Sequence, residues 1–208
     1  MRSLGLAPRP LSNSELAALG SDVRRRAIVL FVFVGLMWFV RLLDTPLLGS
    51  ASVVGTGVIP RTYDGLFGII TAPLIHSSWS HLMANTPPLL VFGALILLRG
   101  VEEFIFVTLC TALISGAGVW LFGSSGNHVG ASGLIYGFAG YLLFRAAFDR
   151  QWGSVVITVL VAVTYSTGLA MGLVPQDRIS WTGHFFGFIG GVVAARLRYP
   201  GLQKRVTA

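Results

Sequence analysis

Four polar side chains of types that support covalent catalysis lie in apolar stretches of this sequence: Ser132, His184, His81 and Asn85. A serine hydroxyl beside an imidazole is the minimum pair for acyl transfer, because the imidazole takes the hydroxyl proton as the oxygen attacks. Histidine and asparagine side chains can donate hydrogen bonds to the oxyanion that such an attack creates. The residue types therefore indicate nucleophilic serine chemistry, provided that the fold brings them together.

The composition indicates the environment of these side chains. Of the 208 residues, 54% are apolar and only 11% are charged, whereas soluble domains carry about 25% charged residues. So few charges cannot coat a soluble domain, and so many apolar residues exclude a disordered chain. A polytopic membrane protein remains. The net charge of +7 does not indicate a nucleic-acid partner, because the positions of the basic residues follow the membrane topology.

Six apolar runs approach the roughly 20 residues that a membrane-spanning helix needs. We place these spans at residues 27–43, 81–98, 101–122, 129–148, 153–174 and 179–197. They predict an all-α membrane domain over residues 24–198, between cytosolic tails at 1–23 and 199–208, with a long outer loop at 44–80. Within that loop, residues 66–75 are apolar but too short to span, which favours an interfacial or re-entrant segment.

The basic residues orient this topology. With the N-terminus inside, twelve Lys and Arg residues fall on the inner side, and three fall on the outer side, namely Arg41, Arg61 and Arg178. Because basic residues accumulate in cytoplasmic segments, we expect both termini to be cytoplasmic.

The polar side chains share one depth in this topology. The second, fourth and sixth spans all run from outside to inside, and their first one or two turns hold His81, Asn85, Ser132 and His184. At 1.5 Å of rise per residue, this position corresponds to a depth of about 5–8 Å. We therefore expect a polar site just below the outer surface.

Residue spacing places further groups on the same helix faces. Ser132 and Tyr136 are four residues apart, so they share a face. Glycines follow at helical spacing in the fourth and sixth spans, at Gly133, Gly137, Gly140, Gly187 and Gly191. Such stripes let membrane helices approach closely, which would bring His184 to Ser132. Each feature alone is most simply explained by packing, so the functional interpretation depends on their combination.

Three motifs of this chain resemble those of rhomboid intramembrane serine proteases. Residues 130–137, GASGLIYG, are similar to the family's GxSG signature. Residues 81–85 resemble its HxxxN motif, and residues 183–187 resemble its histidine helix with a GxxxG packing motif. The motifs occur in the family's order, within a frame that covers residues 24–197. The resemblance implies a six-transmembrane-helix rhomboid bundle in the cell membrane.

The same resemblance implies a role for each matched residue. Ser132 would be the nucleophile and His184 the general base, in a dyad without an acidic third member. His81 and Asn85 would stabilise the oxyanion together with the backbone N–H of Ser132. Supporting roles would fall to Tyr136, Gly130 and His76, and helix packing to Gly133, Gly137, Gly187 and Gly191. No cofactor or metal is expected, and the partners would be the lipid bilayer and transmembrane protein substrates, cut near their outer ends.

Two departures from the family pattern affect the expected activity. Phe67 and Gly68 stand where the family often has a Trp-Arg pair, and Pro87 and Pro88 follow Asn85, where they could kink the second span. The alternative function is therefore a rhomboid-like factor with weak catalysis that binds membrane proteins or serves their quality control.

Two further classes of protein stay open at this point. The four histidines, His76, His81, His128 and His184, could ligate a metal, although no HExxH motif and no acidic ligand at membrane depth accompany them. A transporter would suit the Gly-rich and Pro-broken helices, but no internal symmetry between the two halves is visible.

Overall fold

The computed structural model describes residues 9, 11–44, 57–176 and 179–199 of the chain. These residues form seven α-helices: α1 (Asn13–Leu43), α2 (Gly68–Thr71), α3 (Trp79–Leu97), α4 (Val101–Phe122), α5 (Ser132–Asp149), α6 (Trp152–Leu173) and α7 (Trp181–Arg198). Within these ranges the one extended pairing is an isolated bridge between Val58 and His128. The predicted fold class, a helical membrane bundle, is confirmed.

The six long helices correspond to the six predicted spans. Four of them, α1, α3, α4 and α6, are long and apolar enough to cross a membrane. The other two, α5 and α7, have 18 residues each and bury more of their surface than the rest. They form the centre of the bundle, where α5 packs mainly on α7 and α6, and α7 packs on α5 and α4.

The first helix begins well before the predicted span at residue 27. Ser12 caps it, because the Ser12 hydroxyl accepts a hydrogen bond from the Glu15 N–H at 3.3 Å while the Glu15 carboxylate accepts the Ser12 N–H at 2.7 Å. The helix therefore extends into the predicted N-terminal tail. Residues 1–8 and 10 of that tail, residues 45–56 of the long loop and residues 200–208 lie outside the described residues.

Glycines bring α5 and α7 into backbone contact. A methyl group on Gly187 would overlap the carbonyl of Gly133, and one on Gly191 would overlap the carbonyl of Gly137. Both pairs advance by four residues, so the two helices run in the same direction. On the other side of Gly137 lies Thr111 of α4, which leaves that glycine no room for a side chain either. The glycine stripes thus fix the separation of the helices that carry Ser132 and His184.

The segment before α3 folds into short helical turns rather than a span. A 3₁₀ turn at Asp64–Leu66, the four-residue α2 and a second 3₁₀ turn at Ala72–Leu74 follow one another. Phe67 and Ile70 are exposed, whereas Gly68 is buried against the backbone of residues 57 and 58. This arrangement agrees with the short apolar segment that the sequence predicts.

The helix α3 continues through Pro87 and Pro88. Both prolines lack an N–H, so the carbonyls four residues earlier lose their helical partners, yet residues 79–97 remain one helix. Asn85, directly before them, is buried at 6% exposure.

Candidate active site

Three helices begin at the same end of the bundle, which we call the site end. Here the first turns of α3, α5 and α7 meet around one cavity, which is lined by His81, Ser132 and Trp181. The side chains of His81 and Asn85 lie beside Gly130, which comes just before α5. Eight residues after Asn85, Gly93 lies beside Phe138 of α5, which is eight residues after Gly130. These contacts advance together, so α3 is parallel to α5 and to α7.

Ser132 is the first residue of α5. The first hydrogen bond of this helix joins the Ile135 N–H to the Ala131 carbonyl, so the N–H groups of Ser132, Gly133 and Leu134 have no intrahelical acceptor. They lie at the positive end of the helix dipole, which favours negative charge. The backbone around Ser132 can therefore stabilise an oxyanion.

His184 is buried in the second turn of α7, and its ring nitrogens can be assigned. Nδ1 lies 2.7 Å from the carbonyl oxygen of Gly172 in α6. A carbonyl only accepts, so Nδ1 carries the proton, and the neutral ring keeps a lone pair on Nε2. The Tyr136 ring stacks on the imidazole with centroids 4.1 Å apart and planes 5° apart. The orientation of the base is thus held from two sides.

Two cavities of the site end are lined by both Ser132 and His184. One has a volume of about 1260 Å³ and opens among polar loop residues such as Gln176. The other, of about 410 Å³, extends between α3 and α6 past Phe92 and Tyr165. Within the described part of the chain, neither the Ser132 hydroxyl nor His184 Nε2 has a hydrogen-bond partner.

Gly130 brings the backbone before Ser132 against His81 and Asn85. Its φ of +115° lies in the region that favours glycine, and a methyl group there would collide with the His81 ring and lie 3.5 Å from Asn85 Nδ2. Asn85 Nδ2 is buried without a hydrogen-bond partner among the described residues. The amide of Asn85 thus has an unused donor near Ser132.

His76 holds the backbone next to the serine. Its Nε2 accepts the Ala131 N–H at 3.4 Å, and its ring lies edge-on to that of His81 with centroids 5.1 Å apart. Burial, followed by the nearby positive charges that His81 and Arg41 can carry, lowers the pKa of His76 from 6.5 to about 4. His76 is therefore neutral at physiological pH.

The fourth histidine, His128, lines the larger cavity together with Ser132 and His184, but its ring nitrogens bond to other residues. His128 Nε2 donates to the Ser124 carbonyl at 2.8 Å, and Nδ1 accepts from the Ser180 hydroxyl at 2.7 Å. Both ring nitrogens are thus engaged. Across the described ranges no group of three or more His, Cys, Asp or Glu side chains could hold a metal ion.

Sequence reasoning did not identify the contribution of α6. Besides the Gly172 carbonyl, the carbonyls of Leu169 and Gly168 accept the Tyr136 hydroxyl at 3.0 and 3.3 Å. The available signal was the Gly168–Gly172 pair, four residues apart in a helix rich in β-branched residues. Backbone acceptors leave no side-chain motif, so this signal indicates close approach without naming the partner.

Comparison with known proteins identifies the family. Residues 63–201 match the sequence model of the Rhomboid domain, so the chain belongs to the rhomboid family, whose members are generally intramembrane serine proteases. This match confirms the resemblance seen in the motifs.

Three relatives illustrate the range of similarity. An uncharacterized protein of Mycobacterium tuberculosis is 42% identical over 203 residues, which cover 91% of this chain and 83% of the relative. An uncharacterized protein of Mycobacterium leprae is 36% identical over 206 residues, covering 94% and 78%. The Bacillus subtilis protein named "Putative rhomboid protease YdcA" is 27% identical over 139 residues, covering 66% and 69%.

Proposed function

We propose that this protein is an intramembrane serine endopeptidase with Ser132 as nucleophile and His184 as general base. The observation that carries the proposal is that both side chains line the same two cavities, while the proton on His184 Nδ1 leaves Nε2 free to accept another. A serine hydroxyl is a weak nucleophile, and a positioned base contributes about 10²–10⁴-fold to its reaction.

In the proposed reaction, Ser132 Oγ bonds to the carbonyl carbon of the scissile peptide as its proton passes to His184 Nε2. The oxyanion then accepts hydrogen bonds from the Ser132 N–H and from the side chains of His81 and Asn85. The C–N bond breaks, and His184 returns the proton to the leaving amine. Water hydrolyses the resulting ester by the same proton transfers, which restores the Ser132 hydroxyl.

Three further residues position this machinery in the proposal. Tyr136 fixes the plane of the His184 ring by stacking. Gly130 leaves room for the substrate carbonyl beside His81 and Asn85. His76 restrains Ala131, and thereby the first turn of α5, without taking part in proton transfer.

The proposed substrates are transmembrane segments of other membrane proteins. The cavity between α3 and α6 is lined mainly by apolar groups, including Phe92 and Leu169, as a membrane segment requires, and the larger cavity gives access to water. With the basic residues placed inside, the site end faces the outer leaflet. Cleavage then occurs near the outer end of the substrate, and both termini of the enzyme are cytoplasmic.

A serine-reactive fluorophosphonate tests this function on the full-length protein in detergent. We expect wild type to label and to cleave a reconstituted transmembrane substrate, and Ser132→Ala and His184→Ala to do neither. Both activities should be insensitive to EDTA. Labelling of Ser132→Ala as fast as wild type would contradict the proposal.

The alternative is a rhomboid-like factor with weak catalysis that binds membrane proteins or serves their quality control. It is favoured by the absence of a hydrogen bond between the Ser132 hydroxyl and His184 Nε2 in the described part of the chain. Under this alternative, Ser132→Ala would capture transmembrane segments as well as wild type, and wild type would release them uncleaved.

A further inference from the structure

The base of the proposed dyad has a hydrogen-bond acceptor on the side away from the serine. Among the described residues, no carboxylate is bonded to His184. The acceptor of its Nδ1–H is instead the Gly172 carbonyl, at 2.7 Å. In serine hydrolases with three catalytic residues, a carboxylate at this point fixes the tautomer and stabilises the imidazolium.

The Gly172 carbonyl carries partial negative charge because of its position in α6. Gly172 is the penultimate residue of α6, and the last four carbonyls of an α-helix have no intrahelical donor. The helix dipole adds the equivalent of about half a negative charge at this end. An imidazolium on His184 would therefore lie against the negative end of α6.

The last turns of α6 also hold the residue that stacks on the base. The Tyr136 hydroxyl donates to the carbonyls of Leu169 and Gly168, while the Tyr136 ring covers the His184 imidazole. A methyl group on Gly172 would overlap the Tyr136 hydroxyl and lie 3.1 Å from His184 Nδ1. Only glycine at position 172 lets the carbonyl, the phenol and the imidazole fit together.

We propose that the carboxyl end of α6, through the Gly172 carbonyl, is the positioning element that a third catalytic side chain supplies in other serine hydrolases. It holds His184 in the Nδ1–H tautomer and stabilises the imidazolium formed when Nε2 takes the Ser132 proton. This inference rests on the proposed dyad.

The tautomer can be measured directly in the wild-type protein. We expect ¹⁵N NMR of histidine-labelled full-length protein in lipid nanodiscs to show His184 protonated at Nδ1, with the resonance assigned through His184→Asn. A predominant Nε2–H tautomer would overturn the inference, and this readout does not depend on activity.

Two glycines of α6 provide matched variants. Gly172→Ala should lower the fluorophosphonate labelling rate by about 10²-fold or more, because a base in the wrong tautomer cannot accept the serine proton, and the Nδ1–H population of His184 should fall with it. Gly153→Ala adds the same methyl group to α6 where no atom lies within 4 Å, so its labelling rate and tautomer should match wild type.

A double variant separates positioning from misfolding. Tyr136→Phe removes the hydroxyl that the new methyl group would overlap and leaves the ring Cζ 2.9 Å from it, so Gly172→Ala with Tyr136→Phe should recover part of the Nδ1–H tautomer population and label faster than Gly172→Ala alone. If Gly172→Ala keeps the wild-type tautomer and rate, or if the double variant recovers the tautomer without any gain in labelling rate, the positioning role is wrong. If the wild type shows the Nδ1–H tautomer but neither labels nor cleaves, the proposed protease function fails while the hydrogen bond to Gly172 stands.

Discussion

The two ends of the helical bundle both bury polar side chains, but they differ in how much hydrogen-bonding capacity is left unused. At the site end, Asn85 Nδ2 has no partner among the described residues, and the same holds for the Ser132 hydroxyl and His184 Nε2. These groups face cavities. Their unused hydrogen-bonding capacity is therefore available to a ligand in those cavities.

At the opposite end, where α5 ends and α6 begins, buried charges satisfy one another. Asp149, with 1% of its side chain exposed, forms an ion pair with Arg145 Nε at 3.2 Å and accepts a hydrogen bond from Arg99 at 2.9 Å. Ser154 accepts from Arg145 at 2.8 Å and donates to Asp149. In this cluster only Arg145 Nη1 lacks a partner within the described residues.

A second group at the opposite end ties α4, α5 and α7 together. Glu103 accepts the Tyr141 hydroxyl, the Arg198 Nε–H at 2.6 Å and the Tyr199 hydroxyl at 3.4 Å. No cavity described above reaches it. The comparison separates two arrangements of buried polar groups. At the opposite end, paired charges join helices, whereas at the site end donors and acceptors have no partner among the described residues. Substitutions at the two ends should therefore affect different quantities.

The largest expected effect is on activity at the site end. Ser132→Ala should reduce fluorophosphonate labelling by at least about 10³-fold, while the free energy of unfolding stays near wild type because the hydroxyl has no partner to lose. Ser115→Ala is the control, since the buried Ser115 hydroxyl donates to the Gly183 carbonyl at 2.8 Å. That variant should still label but lose about 1 kcal/mol of stability. Equal stability losses in both variants would contradict the comparison.

The next largest effect is on stability at the opposite end. Asp149→Ala leaves Arg145 and Arg99 without their shared carboxylate and should cost about 3–5 kcal/mol in the free energy of unfolding in mixed micelles. The Arg26–Asp22 pair has the same four-residue spacing but is 29% and 44% exposed, so Asp22→Ala should cost at most about 1 kcal/mol. The folded fraction of Asp149→Ala should react with the fluorophosphonate as fast as wild type. A slower labelling rate of that fraction would contradict the separation of stability and activity between the two ends.

A smaller effect is expected from the unused donor of Asn85. Asn85→Ala should lower kcat for a transmembrane substrate by about 10²-fold with no loss of stability, because Nδ2 has no hydrogen bond to break. Thr86→Val changes the neighbouring residue, whose hydroxyl donates to the Leu82 carbonyl and accepts from Trp38, and should keep the wild-type kcat. An unchanged kcat in Asn85→Ala would remove Asn85 from the oxyanion site.

The smallest effect concerns pH and His76. The pKa of His76 is lowered from 6.5 to about 4 by burial, so between these values the unfolded chain binds a proton that the folded protein does not. The contribution of His76 to the free energy of unfolding is complete above pH 6.5. It falls as the pH drops toward 4, and the loss is about 2 kcal/mol at pH 5. In His76→Gln, unfolding titrations should lack this part of the pH dependence. An identical pH dependence in both proteins would mean that His76 is not a buried neutral base.

The positions of the helices and their shared depth follow from the sequence by simple physics. Apolar runs of about 20 residues form spans, and the glycines of α5 and α7 predict the backbone contact that the structure contains. The helix α1 begins before the span placed at residues 27–43, because hydropathy registers the apolar span and not the polar turns that Ser12 caps. The second span was placed across Pro87 and Pro88, and α3 is one helix through both of them.

The sequence by itself determined the membrane class, the rhomboid motifs and which side chains could react, because these depend on residue type and periodicity. Only the tertiary structure decided which nitrogen of His184 carries the proton and which groups keep unused donors. The acceptor for that proton is a backbone carbonyl of α6, present at every residue of the chain. Its selection depends on how closely α6 approaches α5 and α7, which is a property of packing rather than of any motif.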